Sequence, residues 1–180
     1  MGSLQAVKTV QVLFKKLSEL CEKIGITISI FYGISVFLIV FSGVLLRTGF
    51  TLQAHIGLNI VRPFPWSEEL ARWLLVGLAM LSASVGFKRK EHIGIELVVD
   101  LFPPVLKRTV AVITDITVLF FMIICLYSSY IVALQAANQT GDVIPYSMLW
   151  VKMNIPLGFA FMIIHAVSHM ISQFFPEESE

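Results

Sequence analysis

"IGITISIFYGISVFLIVFSGVLL" (residues 24–46) is a run of 23 residues without a single charge. As a helix rising 1.5 Å per residue it reaches about 35 Å, enough to cross a hydrocarbon core of about 30 Å. Its apolar residues lack the period-2 alternation of a barrel strand. Inside lipid, backbone groups must be satisfied within the segment itself, which leaves the helix. The run predicts a transmembrane helix, and with it the class of the whole chain.

Outward from this run, three more stretches have the same character: 67–87, 109–134 and 149–171. Four transmembrane helices are expected, making an all-α membrane protein. The composition agrees. Of the 180 residues, 57% are hydrophobic and 14% charged, with a mean hydropathy of +0.84. Soluble domains average about 45–50% apolar and about 25% charged. A net charge of +1 argues against a nucleic-acid partner and leaves membrane lipid as the natural surroundings. Cys21 and Cys125 stand far apart with no CxxC or Cys/His cluster, so neither a disulfide framework nor a zinc site is expected. No cleavable signal is expected, because a polar helix comes first and no small-residue cleavage site follows the first apolar run.

The basic residues predict the orientation. Lys8, Lys15, Lys16 and Lys23 precede the first span, and Lys88, Arg89, Lys90, Lys107 and Arg108 lie between the second and third. These nine residues mark one side of the membrane. The other side has Arg47 and Arg62, with Arg72 and Lys152 near span ends. Both termini are therefore expected in the cytoplasm, and the 47–66 and 135–148 loops outside, in the periplasm of a Gram-negative host.

Two flanking segments look interfacial. In "VQVLFKKLSELCEKI" (10–24), Val10, Leu13, Phe14, Leu17, Leu20 and Ile24 recur at three- and four-residue steps, with Lys15, Lys16, Glu19, Glu22 and Lys23 on the other face. That spacing predicts a basic amphipathic helix, lying on the inner leaflet or extending the first span. "HIGIELVVDLFPP" (92–104) is too short to span and is stopped by its two prolines. A weaker element of this kind is expected at 51–60. The expected organisation is a cytoplasmic amphipathic helix over 1–23, a four-helix transmembrane domain over 24–171 and an acidic cytoplasmic tail over 172–180.

The second span opens with charges: "PFPWSEELARW" (63–73) carries Glu68, Glu69 and Arg72. The uncharged residues that follow, 73–87, number only 15 and cover about 22 Å, so the helix must start earlier. The three charges then lie at or just inside the outer boundary. Ser67 can cap the helix, and Glu68 and Arg72 have the favourable i, i+4 order. Glu69 is left needing a partner, since a lone carboxylate near hydrocarbon is costly. The expectation is a clasp of Arg47 with Glu69 and of Glu68 with Arg72, serving assembly at the outer face. Trp66 and Lys152 belong to the same boundary.

Elsewhere, Ala79, Ser82, Ala83 and Gly86 are expected to form the small-residue face through which the second span packs. Asp115 precedes 19 uncharged residues and can sit at the inner interface. Pro156 removes a helix bond to the carbonyl of Lys152, predicting a kink or a late helix start. His165 and His169 share a face but lack matching histidines on other spans, so bis-histidine haem is not expected. No phosphate loop, catalytic triad or nucleotide fingerprint is present. No enzyme activity, metal or cofactor is expected.

Three stretches also carry a family resemblance: "LLR" (45–47), "WSEELARWLLVGLAMLSASVGFKRKEHIGIELVVD" (66–100) and "PYSMLWVKMNIPLGF" (145–159). With W-x-E-E-x-x-R as the most specific part, they resemble the small, four-helix, DctQ-like membrane subunit of tripartite ATP-independent periplasmic (TRAP) transporters. Glu96 stands where that family more often has Asp. The resemblance implies a multi-pass protein of the bacterial inner membrane. Its partners would be a separate large multi-span permease subunit, which carries substrate and sodium, and a periplasmic substrate-binding protein. The implied substrates are organic acids, such as C4-dicarboxylates or sialic acids, and the implied role is a scaffold for the large subunit. Two other readings stay open on the residues alone. A self-contained small transporter would need an ionisable residue at the centre of a span, and a quinone- or haem-binding oxidoreductase subunit would need a cofactor site.

Overall fold

The computed structural model describes residues 2–55, 65–89 and 104–174. They form α1 (Gly2–His55), α2 (Pro65–Lys88), α3 (Pro104–Gln135), a short 3-10 turn (Ala136–Asn138), α4 (Met148–Lys152) and α5 (Asn154–Phe174). No strand occurs among the described residues; the backbone has one isolated antiparallel bridge, Thr140 to Ser147. Four helical stretches are long and apolar enough to cross a membrane: Thr9–Gly49, Pro65–Lys88, Thr109–Asn138 and Met148–Ser172.

α1 is unbroken over 54 residues, about 80 Å at 1.5 Å per residue. The amphipathic 10–24 stretch is thus the same helix as the first span and not a separate element. The helix also continues through the start of the 51–60 stretch. Within it, Ser18 and Cys21 face the bundle and are buried, whereas Leu13, Leu17, Leu20 and Ile24 are exposed. The apolar stripe is therefore turned away from the other described helices. The 56–60 and 92–103 segments, Lys90 and the 175–180 end lie outside the described residues.

α2 and α5 make the centre of the packing. α1 lies along α2 and also touches α5; α3 packs on α5 and, among the described residues, not on α1 or α2. Close approach of α2 depends on Gly77, where a methyl group would collide with the Tyr32 ring and lie 3.2 Å from Asn154 Cγ. Leu81 and Ser84 are fully buried beside it, and Ser84 Oγ donates to the Leu81 carbonyl at 2.7 Å, so its hydroxyl carries no unmet donor into the interface. This corrects the expected packing face. Ala79 and Ser82 are exposed and Ala83 and Gly86 only half-buried, because the contact with α1 and α5 is made through Gly77, Leu81 and Ser84.

Because α3 meets only the last span, α4 and α5, among the described residues, wide apolar faces of the described helices stay open. On α1 these include Phe31, Ile34, Phe37 and Phe41, with the rings of Phe37 and Phe41 stacked at 5.8 Å; on α3 they include Ile116, Phe120, Phe121 and Ile124. The last span is broken near its start. Met153 separates α4 from α5, and Pro156 follows two residues into α5. Asn154 Nδ2 donates to the carbonyls of Trp150 and Val151 at 3.3 and 3.1 Å, meeting acceptors that the break exposes.

Candidate functional site

The charged side chains described in the spans gather toward the two ends of the bundle. At one end, the 136–147 loop folds back on itself. Met148 N–H donates to the Gln139 carbonyl at 2.8 Å, Gly141 N–H to the Tyr146 carbonyl at 3.2 Å, and Ser147 Oγ–H to the Ala137 carbonyl at 2.8 Å. Ser147 Oγ also accepts from Leu149 N–H, capping α4. Lys152 Nζ reaches Gln139 Oε1 at 3.0 Å.

Glu69 fixes this loop to α2. It is buried, and its carboxylate accepts three successive backbone N–H groups: Asp142 at 2.7 Å, Val143 at 2.9 Å and Ile144 at 2.8 Å. A row of backbone donors curved around one anion satisfies a carboxylate without a cation. The site needs a glycine at 141. A Cβ there would collide with Glu69 Oε1 and stand 2.6 Å from Trp73 Cζ2.

The expected clasp is therefore re-paired. Arg47 Nη1 meets Glu68 Oε1 at 3.7 Å, not Glu69, and both side chains are mostly exposed. Arg72 Nε bonds the backbone carbonyl of Glu68 at 3.4 Å instead of its carboxylate. The physical reason is the 100° turn between neighbouring helix positions: Glu68 faces outward toward α1 and Glu69 faces the loop. Trp66 is 41% exposed at this same end. The structure thus brings Arg47, Trp66, Glu68, Glu69, Arg72 and Lys152 to one end, with the loop rather than Arg47 as the partner of Glu69.

At the other end, Glu22 of α1 holds Lys88 at 2.8 Å and Arg89 at 3.2 Å, tying α1 to the end of α2. Lys88 and Arg89, read from sequence as topology determinants, are thus also structural. Beside them Ser18 Oγ and His165 Nδ1 are 2.8 Å apart, both side chains buried, and His169 Nδ1 lies 3.8 Å from Asp115 Oδ2 across α3 and α5. Sequence reasoning missed these pairs. The i, i+3, i+4 positions Ser18, Cys21 and Glu22 give a face opposite the apolar stripe, but charge on an amphipathic helix reads first as solvent-facing. No set of three metal-ligating side chains converges among the described residues.

Four apolar helices of spanning length, three of them meeting at Gly77 and α3 packed on the last span, define a multi-pass helical membrane protein. The chain belongs to the DctQ component family of tripartite ATP-independent periplasmic transporters, whose profile matches residues 36–175. It is a multi-pass protein of the bacterial inner membrane. A Haemophilus influenzae protein named as a TRAP transporter small permease protein is 32% identical over 90 residues, covering 50% of this chain and 47% of that one. The sialic acid TRAP transporter small permease protein SiaQ of Vibrio cholerae is 24% identical over 110 residues, 61% of this chain and 64% of its own. The sialic acid TRAP transporter permease protein SiaT of Haemophilus influenzae is 32% identical over 65 residues, 36% of this chain and 10% of its own. The chain spans about half to just under two thirds of the two small permease proteins.

Proposed function

We propose that this chain is a scaffold subunit. It holds a separate large, sodium-coupled permease subunit in the membrane for uptake of an organic acid of the sialic acid or C4-dicarboxylate class. A periplasmic binding protein delivers that substrate. The observation that carries the reading is the open arrangement of the spans: among the described residues α3 is packed on the last span, α4 and α5, and not on α1 or α2, which leaves the aromatic faces of α1 and α3 for another helical surface. Membership of the family and the names of the sialic acid relatives support the partner and the substrate class. The ionisable side chains described in the spans cluster toward the ends, where they bind each other or the loop, and this favours a supporting role over carriage of an ion.

The proposed orientation places both termini and the Glu22–Lys88 end in the cytoplasm, and Glu69 with its loop in the periplasm. This rests on the nine-to-two bias of Lys and Arg. Two experiments test the proposal. In a variant without Cys21 and Cys125, a cysteine at Asp142 should react with an impermeant thiol reagent in intact cells, and one at Lys16 only after lysis; the reverse pattern rejects the orientation. In liposomes the isolated chain should give no sodium-driven uptake of sialic acid or succinate, while co-reconstitution with its large subunit and binding protein restores it. Uptake by the isolated chain would reject the scaffold role.

A further inference from the structure

The apolar stripe of α1 keeps one spacing along most of the helix. Val10, Leu13, Leu17, Leu20 and Ile24 alternate steps of three and four residues. Phe31, Ile34, Leu38, Phe41 and Leu45 carry the same register on, with Thr27 as the one polar residue in it. All ten apolar members are between 40% and 65% exposed. A mean step of 3.5 residues is the coiled-coil repeat, which keeps a seam against a second helix; a helix facing only lipid has no need of it. From 24 to 46 nearly every residue is apolar, so the repeat is distinctive over 10–24, where charges occupy the positions between.

The seam also outruns the lipid. Glu22 is paired with Lys88 and Arg89, which puts it level with the end of α2. Val10 lies twelve positions, about 18 Å, beyond that level. The headgroup layer adds only about 5–8 Å to each side of the hydrocarbon. Nor is this part free to lie flat on a leaflet. α1 is unbroken through it, and Ser18 is held by His165 of α5 at 2.8 Å. A second copy of the chain fits poorly. In a parallel pair of α1 helices, Lys16 and Lys23 on one flank of the seam would face Cys21 and Ile28 of the other copy. Neither is an acid, and Cys21 is buried against its own bundle.

We propose that this seam is the docking line for one long helix of the large subunit. That helix carries its own apolar seam at 3.5-residue spacing and continues past the hydrocarbon at the lysine-rich end. The inference rests on the scaffold reading and narrows its contact to one line along α1.

The full chain co-expressed with its large subunit tests this. A photoreactive benzophenone amino acid at Val10, Leu13, Leu17 or Leu20 should cross-link to the large subunit. At Val12 or Glu19, off the seam, it should not. Leu13→Ser, Leu17→Ser and Leu20→Ser together should lower co-purification of the large subunit about tenfold, a modest share of what burying three leucines contributes. Val12→Ser should leave it unchanged. These side chains are exposed in the isolated chain, so its unfolding midpoint should not fall. If the wild-type chains do not co-purify, the scaffold reading fails and the seam with it. If they do, the seam alone is overturned by any of three results: equal adducts on and off it, adducts only with lipid or a second copy, or a triple variant that co-purifies as wild type does.

Discussion

Glu69 and Asp142 are 73 positions apart, yet the carboxylate of the first accepts the backbone N–H of the second at 2.7 Å. With the N–H groups of Val143 and Ile144 on the other oxygen, a side chain near the start of α2 sets the backbone path of a distant loop. The loop therefore takes its shape from the bundle and presents Val143 and Tyr146, beside Trp150 of α4, as exposed groups on a fixed frame.

Glu69→Ala strips all three amides of their acceptor at once. Each amide left unpaired while buried costs about 1–3 kcal/mol, though water reaches part of this loop, so a total of about 2 kcal/mol is expected. Hydrogen exchange at 142–144 should accelerate by about tenfold or more, with little change in the helix centres. Exchange rates equal to wild type would show that the carboxylate does not hold the loop.

Gly141→Ala tests the same frame by steric means. The added methyl would contest space held by Glu69 and Trp73. Overpacking of this kind costs about 1–3 kcal/mol. The expected result is a lower unfolding midpoint and faster exchange at 142–144, matching the signature of Glu69→Ala. A stability equal to wild type would show that the loop has slack at this point.

Arg47→Ala should do little. Its partner is Glu68 at 3.7 Å, with side chains 82% and 68% exposed. Exposed pairs contribute about 0–1 kcal/mol and are screened by salt. A change in unfolding free energy under about 0.5 kcal/mol is expected, and normal recovery with the proposed large subunit. A larger loss of that co-purification, with folding intact, would assign Arg47 to the intersubunit contact.

Glu22 should matter more. It binds Lys88 and Arg89 with side chains that are largely screened from solvent at the first two positions, 22% and 23% exposed. Glu22→Gln is expected to cost about 1–2 kcal/mol, since hydrogen bonds to charged groups are worth more than neutral ones. A double-mutant cycle with Lys88→Met isolates the pair; a coupling energy near zero would mean that the α1–α2 junction rests on packing alone.

The four apolar runs were plain from hydropathy, because lipid imposes a length and an apolar composition that composition alone reveals. Glu68, Glu69 and Arg72 stood out for the complementary reason: charge at a helix entering hydrocarbon must be accounted for. The partner of Glu69 was not legible. Backbone N–H groups carry no residue label, and "TGDVI" (140–144) reads only as a turn. Nor could spacing choose between Glu68 and Glu69 for Arg47, since that depends on how two helices are rotated about their axes. The same ambiguity displaced the packing face of α2. Ala71, Gly77, Ala79, Ser82, Ala83, Ser84 and Gly86 surround much of that helix, so small residues alone do not select a side.

The order in which the helices leave the ribosome gives the packing of α3 a consequence for biogenesis. α1 and α2 are neighbours in sequence and in space, so they can dock as soon as both are inserted. α3 emerges third and, among the described residues, packs on neither of them; the surface it packs on, α4 and α5, follows it in the chain. Until α5 is made, α3 lacks the helix it packs on, and lipid takes the place of that neighbour. Its long uncharged run, residues 116–134, suits it to that interval, and a nascent chain stalled before Asn154 would carry a docked pair and one solitary span.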